Sequence, residues 1–382
     1  MLPAVSEGLP VDRTDHLLLT PMNCDSMRAV IYYGERDVRV EDVTQQDVGS
    51  TGVRVDITAC GICGTDLHEY VAGPIDTPGD APHPITGEEV PIRFGHEFGG
   101  RVTEVGLDVD RIRKGDLVAI NPLLTCGDCQ YCDEGKYNLC TNIGTIGLSG
   151  AGGGFAENVV VDESHAVPVP DSVPDEYTAL VEPLAVGVHA VRESEMELGD
   201  DVAVIGCGPI GLATALAAKA EGAGQLLASA SRDSRRELAR RIGADVVIDP
   251  NETDPVAEIR AVTDDGADVA FEVAGAGSSL DEAVQCTTRD GAVTVISLFE
   301  EAIEFDPNPI VHGGRSLDGV FGYQAGPLGD RDYRTVIRLL KTGQLDPEPL
   351  ITGRVGLEDI VEEGFESLSD RGSGHVKILV EP

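Results

Sequence analysis

The sequence predicts an α/β protein of two domains, one of them a doubly wound parallel sheet. Three observations carry this. At 382 residues the chain exceeds one ordinary domain of roughly 100–200 residues, so separate cores are expected. An uncharged, β-branched run, Val202-Ala-Val-Ile, leads into Gly206-Cys-Gly208-Pro209-Ile210-Gly211 and then an Ala-rich helix at residues 213–221. Strand and helix patterns keep alternating beyond it, with strands at 225–229, 245–248, 268–273 and 292–297 and helices at 235–242 and 280–286.

Taken from the start, residues 1–26 lack a basic opening followed by a long apolar run, so no secretory signal is expected. Fold-like alternation begins only at Met27, and the residues before it read as a disordered tail or a misplaced start codon. The most apolar stretch, residues 202–218, is short for a bilayer and broken by Gly-Cys-Gly-Pro. A cytoplasmic protein is expected. Hydrophobic residues at 41% and charged residues at 25% are values of a folding globular chain. With 28 Lys+Arg against 67 Asp+Glu the net charge is −39, which repels phosphate backbones and anionic headgroups. Neither nucleic acid nor membrane is therefore expected as a partner. Lysine is confined to Lys114, Lys136, Lys219, Lys341 and Lys377. An acid-rich, Lys-poor chain that still folds reads as adapted to high salt, where screening relieves self-repulsion; a merely acidic protein is the alternative.

Next come the metal-ligand residue types. Cys60-Gly-Ile-Cys63-Gly-Thr65-Asp66-Leu-His68-Glu69 is followed by Gly95-His96-Glu97 and, further on, by Val181-Glu182-Pro183. Thiolate, imidazole and carboxylate together are the donors of a catalytic zinc that keeps one position open. Between them lies Cys126-x2-Cys129-x2-Cys132-x7-Cys140. In a cytoplasmic chain such tight spacing argues for metal over disulfides: a closed tetrahedral zinc site, or an iron–sulfur cluster as the rival. The glycines at 206, 208 and 211, between a strand and a helix, suit a dinucleotide: they allow a tight turn, close approach of the pyrophosphate and close helix packing.

Together these motifs resemble the zinc-dependent medium-chain alcohol dehydrogenases over nearly all of residues 27–382. Gly95-His96-Glu97, the four-cysteine loop and the glycine motif carry the family. GICGTDLHEYVAGPI, the insertion before Pro91-Ile-Arg-Phe-Gly-His96, IGLSGAGGGFAE, LVEPLAVGVHAV and LDPEPLITGRVGLEDIVEEGFE point within it to the (R,R)-2,3-butanediol dehydrogenase group, and the acidity to its haloarchaeal type. The resemblance implies a GroES-like, β-rich catalytic domain over residues 27–183, resumed at 326–382, with a Rossmann NAD(P)-binding domain at 184–325. It implies a catalytic zinc on Cys63, His96 and Glu182, with Glu97 close enough to exchange, and a structural zinc on Cys126, Cys129, Cys132 and Cys140. Asp66 would accept from His96 and fix its tautomer, a solvated loop acid being the alternative. Zinc would act as Lewis acid on the substrate hydroxyl, and Thr65 would pass the proton through the cofactor ribose to His68, for which simple packing is the alternative. The implied substrate is a vicinal diol, 2,3-butanediol, oxidised to acetoin; a polyol such as sorbitol, or L-threonine, is the alternative. A homodimer or homotetramer is implied as well.

Cofactor choice is argued locally. An NAD enzyme carries Asp or Glu about 20 residues past the glycines, for the ribose 2′-OH. Here the strand runs Leu227-Ala228-Ser229-Ala230-Ser231-Arg232, with Ala230 at the acid's place. Ser231, Arg232 and Arg235 are left to donate to a 2′-phosphate, a pattern similar to that of NADP-dependent members of the family, so NADP(H) is expected over NAD(H). Arg235 and Arg236 as solvent-facing helix residues are the alternative.

Other features are read as structural. Residues 147–154 are Gly-rich without the Lys-Ser/Thr ending of a phosphate loop, and are expected to form a turn close to the active site. Cys60, Cys207 and Cys286 are expected to be buried, Cys24 to belong to the tail, and His189, His312 and His375 to lack ligand-like company. Residues 317–323 read as an edge strand, which in this family pairs between subunits. A non-catalytic nucleotide binder would lack part of the set Cys63, Thr65, His68, His96 and Glu182, and a zinc-independent reductase would lack the four-cysteine loop; both sets are present.

Overall fold

The computed structural model describes residues 26–370 and 372–382. The tail expected before Met27, with Cys24, lies outside the described residues up to residue 25. The fold is the expected α/β combination of a β-rich body and a doubly wound sheet.

The β-rich part is built around a seven-stranded sheet, with a three-stranded sheet of Asp37–Thr44, Ser26–Gly34 and Ile92–Arg93 beside it in the chain's first 105 residues. Ala166–Val169, Leu117–Ile120, Glu97–Val105, Gly52–Gly61, Lys377–Glu381 and Ile351–Gly356 follow one another across the seven-stranded sheet, and Asn158–Asp162 also pairs with Gly52–Gly61. Residues alternate between buried and more exposed positions along much of Gly52–Gly61, as a strand with one face on a core requires. Its register positions the chemistry. Gly61 pairs with Glu97 on one side and with Leu379 on the other, so the turn at Cys63, the Gly95-His96-Glu97 run and the C-terminal strand meet at one point.

The second sheet is six-stranded and parallel, in the order Val246–Ile248, Gln225–Ser229, Asp201–Ile205, Ala267–Glu272, Thr287–Val295 and Ser316–Gly319. Chain order reverses between Asp201–Ile205 and Ala267–Glu272, and the crevice at the carboxyl ends of these strands is where such sheets bind ligands. The helix after the first strand spans Pro209–Glu221, starting earlier than expected because Pro209, with its fixed φ and missing N–H, suits a helix's first position. A helix at Pro255–Val262, N-capped by Asp254, adds to the elements read from the sequence.

The expected boundary at residue 183 falls inside the helix Val181–Glu193, which packs with Asp330–Thr342 in one core through Val188, Val191, Tyr333, Val336 and Ile337. The edge strand expected at 317–323 is shorter, Ser316–Gly319. Gly322, at φ +57°, turns the chain inward, and Tyr323 is buried instead of lying on the edge. Among the described residues no helix is long and apolar enough to cross a membrane.

Candidate active site and metal centres

Cys63, His96 and Glu97 each bring a donor atom within 4.8 Å of the others. Cys63 is the N-cap of the helix Gly64–Ala72, which carries Thr65, Asp66 and His68. Asp66 is fully buried, so it is not the solvated acid that stood as its alternative. One of its oxygens accepts from the Cys63 amide at 2.9 Å and the other lies 3.1 Å from His96 Nδ1, which leaves Nε2 as the free ligand nitrogen. Thr65 Oγ1 stands 3.8 Å from Cys63 Sγ. Glu182, in the first turn of Val181–Glu193, is buried but lies outside the compact group of three donors. Burial, reinforced by Glu97, pushes its pKa up to about 7, and burial followed by Glu97 also raises the Cys63 thiol. Buried acids of this kind ionise when a cation stands beside them, so the donor set fits a divalent metal.

The four cysteines of the loop likewise lie within 4.8 Å of one another and are all free. Sγ–Sγ separations of 3.6 Å for Cys129–Cys132 and 3.4 Å for Cys126–Cys140 are close to the edge of about 3.8 Å that a tetrahedron with 2.3 Å zinc–sulfur bonds would have. Hydrogen bonds led by the backbone at Thr141 pull Cys129 down to about 6, favouring the thiolate. This loop fits a structural metal.

The expected dinucleotide residues surround a cleft of about 660 Å³ at the switch point of the parallel sheet. Gly206, Gly208, Pro209, Ser231, Arg232 and Arg235 line it. Ile210 and Gly211 lie behind, in the helix; a Cβ on Gly211 would sit 1.8 Å from the Gly206 carbonyl oxygen, so only glycine packs there. Arg235 is not a solvent-facing residue. Its Nη2 donates to the His375 carbonyl at 3.0 Å, while Nη1 is buried without a partner, and burial, with Arg232, lowers it to about 10. A buried, unpaired guanidinium nitrogen beside Ser231 and Arg232 fits a phosphate. Arg236, by contrast, ties down the end of the strand through the carbonyls of Ala230 and Ser231, both at 2.9 Å, and Asp249 at 2.8 Å.

His68 is 60% exposed, lines the same cleft and points Nε2 to 3.6 Å from Glu300, so packing does not account for it. The Gly-rich turn presses on the residue before His96: a Cβ on Gly147 would lie 1.9 Å from the Gly95 oxygen, which also accepts from the Gly154 amide at 2.8 Å. Cys60, Cys207 and Cys286 are buried. His189 does have company, Asp332 at 3.0 Å, but in an ion-pair cluster with Arg192 and Arg331.

Three buried residues that support these groups were given no role in the sequence reading. Lys377 is buried and grips both oxygens of Glu97, at 2.7 and 2.6 Å, while donating to the Ile62 carbonyl at 3.0 Å. Burial opposes its charge, and Glu97 and Cys63 outweigh that, so its pKa is raised. A lysine alone in the apolar run Val376-Lys377-Ile378-Leu379-Val380 was the available signal. Glu69, fully buried, accepts from the amides of Ile75 and Thr77 and the hydroxyl of Thr77, fastening the following loop to the helix of His68. Glu272 accepts from the amides of Ala274 and Gly275 at 2.8 and 2.9 Å, and so fixes the backbone where Ala274 lines the cleft.

The sequence matches the family model described as alcohol dehydrogenase GroES-like domain over residues 49–171, and that described as zinc-binding dehydrogenase over residues 209–342. It is 42% identical over 358 residues to the (R,R)-butanediol dehydrogenase of Bacillus subtilis strain 168, covering 93% of this chain and 100% of that protein. The crystal structure of 2R,3R-butanediol dehydrogenase from Bacillus subtilis superposes with a TM-score of 0.87 over 94% of this chain and 100% of the other, at 42% identity. The L-threonine 3-dehydrogenase of Pyrococcus abyssi is 36% identical over 350 residues, 91% of this chain and 96% of its own. A Sinorhizobium meliloti 1021 structure assigned as a zinc-binding dehydrogenase and bound to NADP superposes with a TM-score of 0.82 at 30% identity, over 94% and 100% of the chains.

Proposed function

The chain belongs to the zinc-dependent medium-chain alcohol dehydrogenases and is an oxidoreductase; from that premise we propose that it interconverts 2,3-butanediol and acetoin with NADP(H). The observation that carries the reading is that one helix, Gly64–Ala72, starts at a metal-donor group and delivers His68 into the dinucleotide cleft.

Zinc, when bound, supplies the Lewis acidity that lowers the alcohol's pKa, and the nicotinamide supplies the hydride acceptor. Cys63, His96 and Glu182 would hold the catalytic ion, with Glu97, which pairs with Lys377, close enough to exchange. Asp66 keeps Nε2 of His96 free by occupying Nδ1. Thr65 takes the alcohol proton toward His68, whose exposure lets it release that proton to water. The turn at Gly206, Gly208 and Pro209 receives the pyrophosphate, and Ser231, Arg232 and Arg235 receive the 2′-phosphate. Cys126, Cys129, Cys132 and Cys140, grouped within 4.8 Å of one another, would hold a structural zinc. The enzyme is proposed to act in a salt-rich cytoplasm as a homodimer or homotetramer.

The test is a set of initial rates at high KCl with vicinal diols, polyols and L-threonine, each with NAD and with NADP. Turnover of butanediol with NADP supports the reading; turnover of polyols alone, or threonine alone, contradicts it.

A further inference from the structure

We propose that Glu272 is a positioning residue for the nicotinamide riboside half of the dinucleotide. This rests on the reading of the cleft as a dinucleotide site. Glu272 is the last residue of Ala267–Glu272 and is fully buried, an acid that neither the glycine turn nor the metal-donor groups use. It stands at the switch point of the parallel sheet, in register with Ile205 on one side and Val295 on the other. Residues 274–278 and 297–300, just beyond these strands, form no helix or strand, so their backbone needs partners from side chains. Glu272 supplies them. One of its oxygens accepts from the amides of Ala274 and Gly275, at 2.8 and 2.9 Å, and the other accepts from the Ser297 hydroxyl, so a single carboxylate joins the two loops. A Cβ on Gly206 would come within 2.8 Å of Ala274, and one on Gly275, which is at φ +62°, within 2.7 Å of the Leu298 carbonyl oxygen. The glycine turn and both loops are thus in contact around the buried acid.

Which half of the cofactor these loops meet follows from the order of the sites along the cleft. Ser231, Arg232 and Arg235 take one end and the glycine turn takes the pyrophosphate, so the remaining half has to run toward the metal-donor group, where the alcohol is held for hydride transfer. His68, on the helix that starts at Cys63, marks that side. It lines the cleft with Val273 and Ala274, and it also lines, with Ala274, Gly275 and Leu298, a hollow of about 500 Å³ next to it. These are the loops that Glu272 ties. Backbone already held in place does not have to be ordered when the cofactor binds. A carboxylate suits the task because it accepts at both oxygens, where a side-chain amide accepts at one only.

The test is titration calorimetry on the full-length protein in multimolar KCl with two probes: NADPH, and adenosine 2′,5′-bisphosphate, which keeps the 2′-phosphate and lacks the nicotinamide riboside. Glu272→Gln, equal in size with one acceptor fewer, is expected to weaken NADPH binding about tenfold, as loss of a hydrogen bond to a charged group does, and to change binding of the bisphosphate by less than about twofold. Ser297→Ala, which deletes one hydroxyl, is expected to show the same split at about threefold, and it decides the question if Glu272→Gln does not fold. Equal weakening of both probes shows a general loosening of the sheet and overturns the positioning role, as does unchanged binding of NADPH. A wild type that binds NADH more tightly than NADPH contradicts the proposed cofactor, and the same comparison of NADH with AMP then decides the role of Glu272. A wild type that binds neither NADPH nor NADH overturns both readings.

Discussion

Lys377 shows how a single buried charge can be fixed by its surroundings. Its ammonium lies 2.6 and 2.7 Å from the Glu97 oxygens with both side chains out of water, so each charge is tolerable only because of the other. Lys377→Met, which strands the carboxylate, is expected to cost about 3–5 kcal/mol in equilibrium unfolding, and most of this should return in the double variant with Glu97→Gln. A loss below about 1 kcal/mol would show that the pair is not what holds Glu97. In the dinucleotide cleft, Arg232→Ala removes a charge-assisted donor to the proposed 2′-phosphate. KM for NADP should rise about tenfold or more with KM for NAD little changed; equal effects on the two cofactors would refute the pocket.

At the scale of elements, the helix Gly64–Ala72 does the most. Its N-cap is Cys63, its first turn carries Asp66, and Glu69 fastens the loop beyond it, so His68 is presented to the cleft by a rigid support. His68→Gln is expected to displace or abolish the acid limb of the pH–rate profile; an acid limb identical to the parent's removes His68 from the proton path. The elements also show what a sequence can reveal. The strand, glycine turn and helix around Gly206, and the cysteines of the loop, were legible because each acts with residues a few positions away. Lys377 and Glu97 are 280 positions apart, so their contact leaves no local pattern. The edge strand was overextended for a related reason: the apolar run continues to Tyr323, but its last residue serves the core and not the sheet. Glu182 was named as a zinc ligand through the family resemblance alone, and no local spacing could have shown that Cys63, His96 and Glu97 bring their donor atoms within 4.8 Å of one another.

For the whole molecule, the net charge of −39 stands apart from the chemistry, which is built from buried pairs and short-range contacts. Self-repulsion of that size is relieved when the screening length falls from about 10 Å at 0.1 M salt to about 3 Å at 1 M. The unfolding midpoint is therefore expected to rise steeply from low to multimolar KCl, and equal stability at both would make the surface merely acidic. The same charge gives Ser231, Arg232 and Arg235 their meaning, since an unpaired guanidinium nitrogen in so acidic a chain calls for an anion from outside it. The most direct measurement is kcat/KM for (R,R)-2,3-butanediol with NADP in multimolar KCl, set beside the same diol with NAD and beside sorbitol and L-threonine with NADP. The account expects the first to exceed each of the others by about tenfold or more, a difference of about 1.4 kcal/mol in transition-state stabilisation; a preference for NAD, or for sorbitol or threonine over the diol, would contradict it.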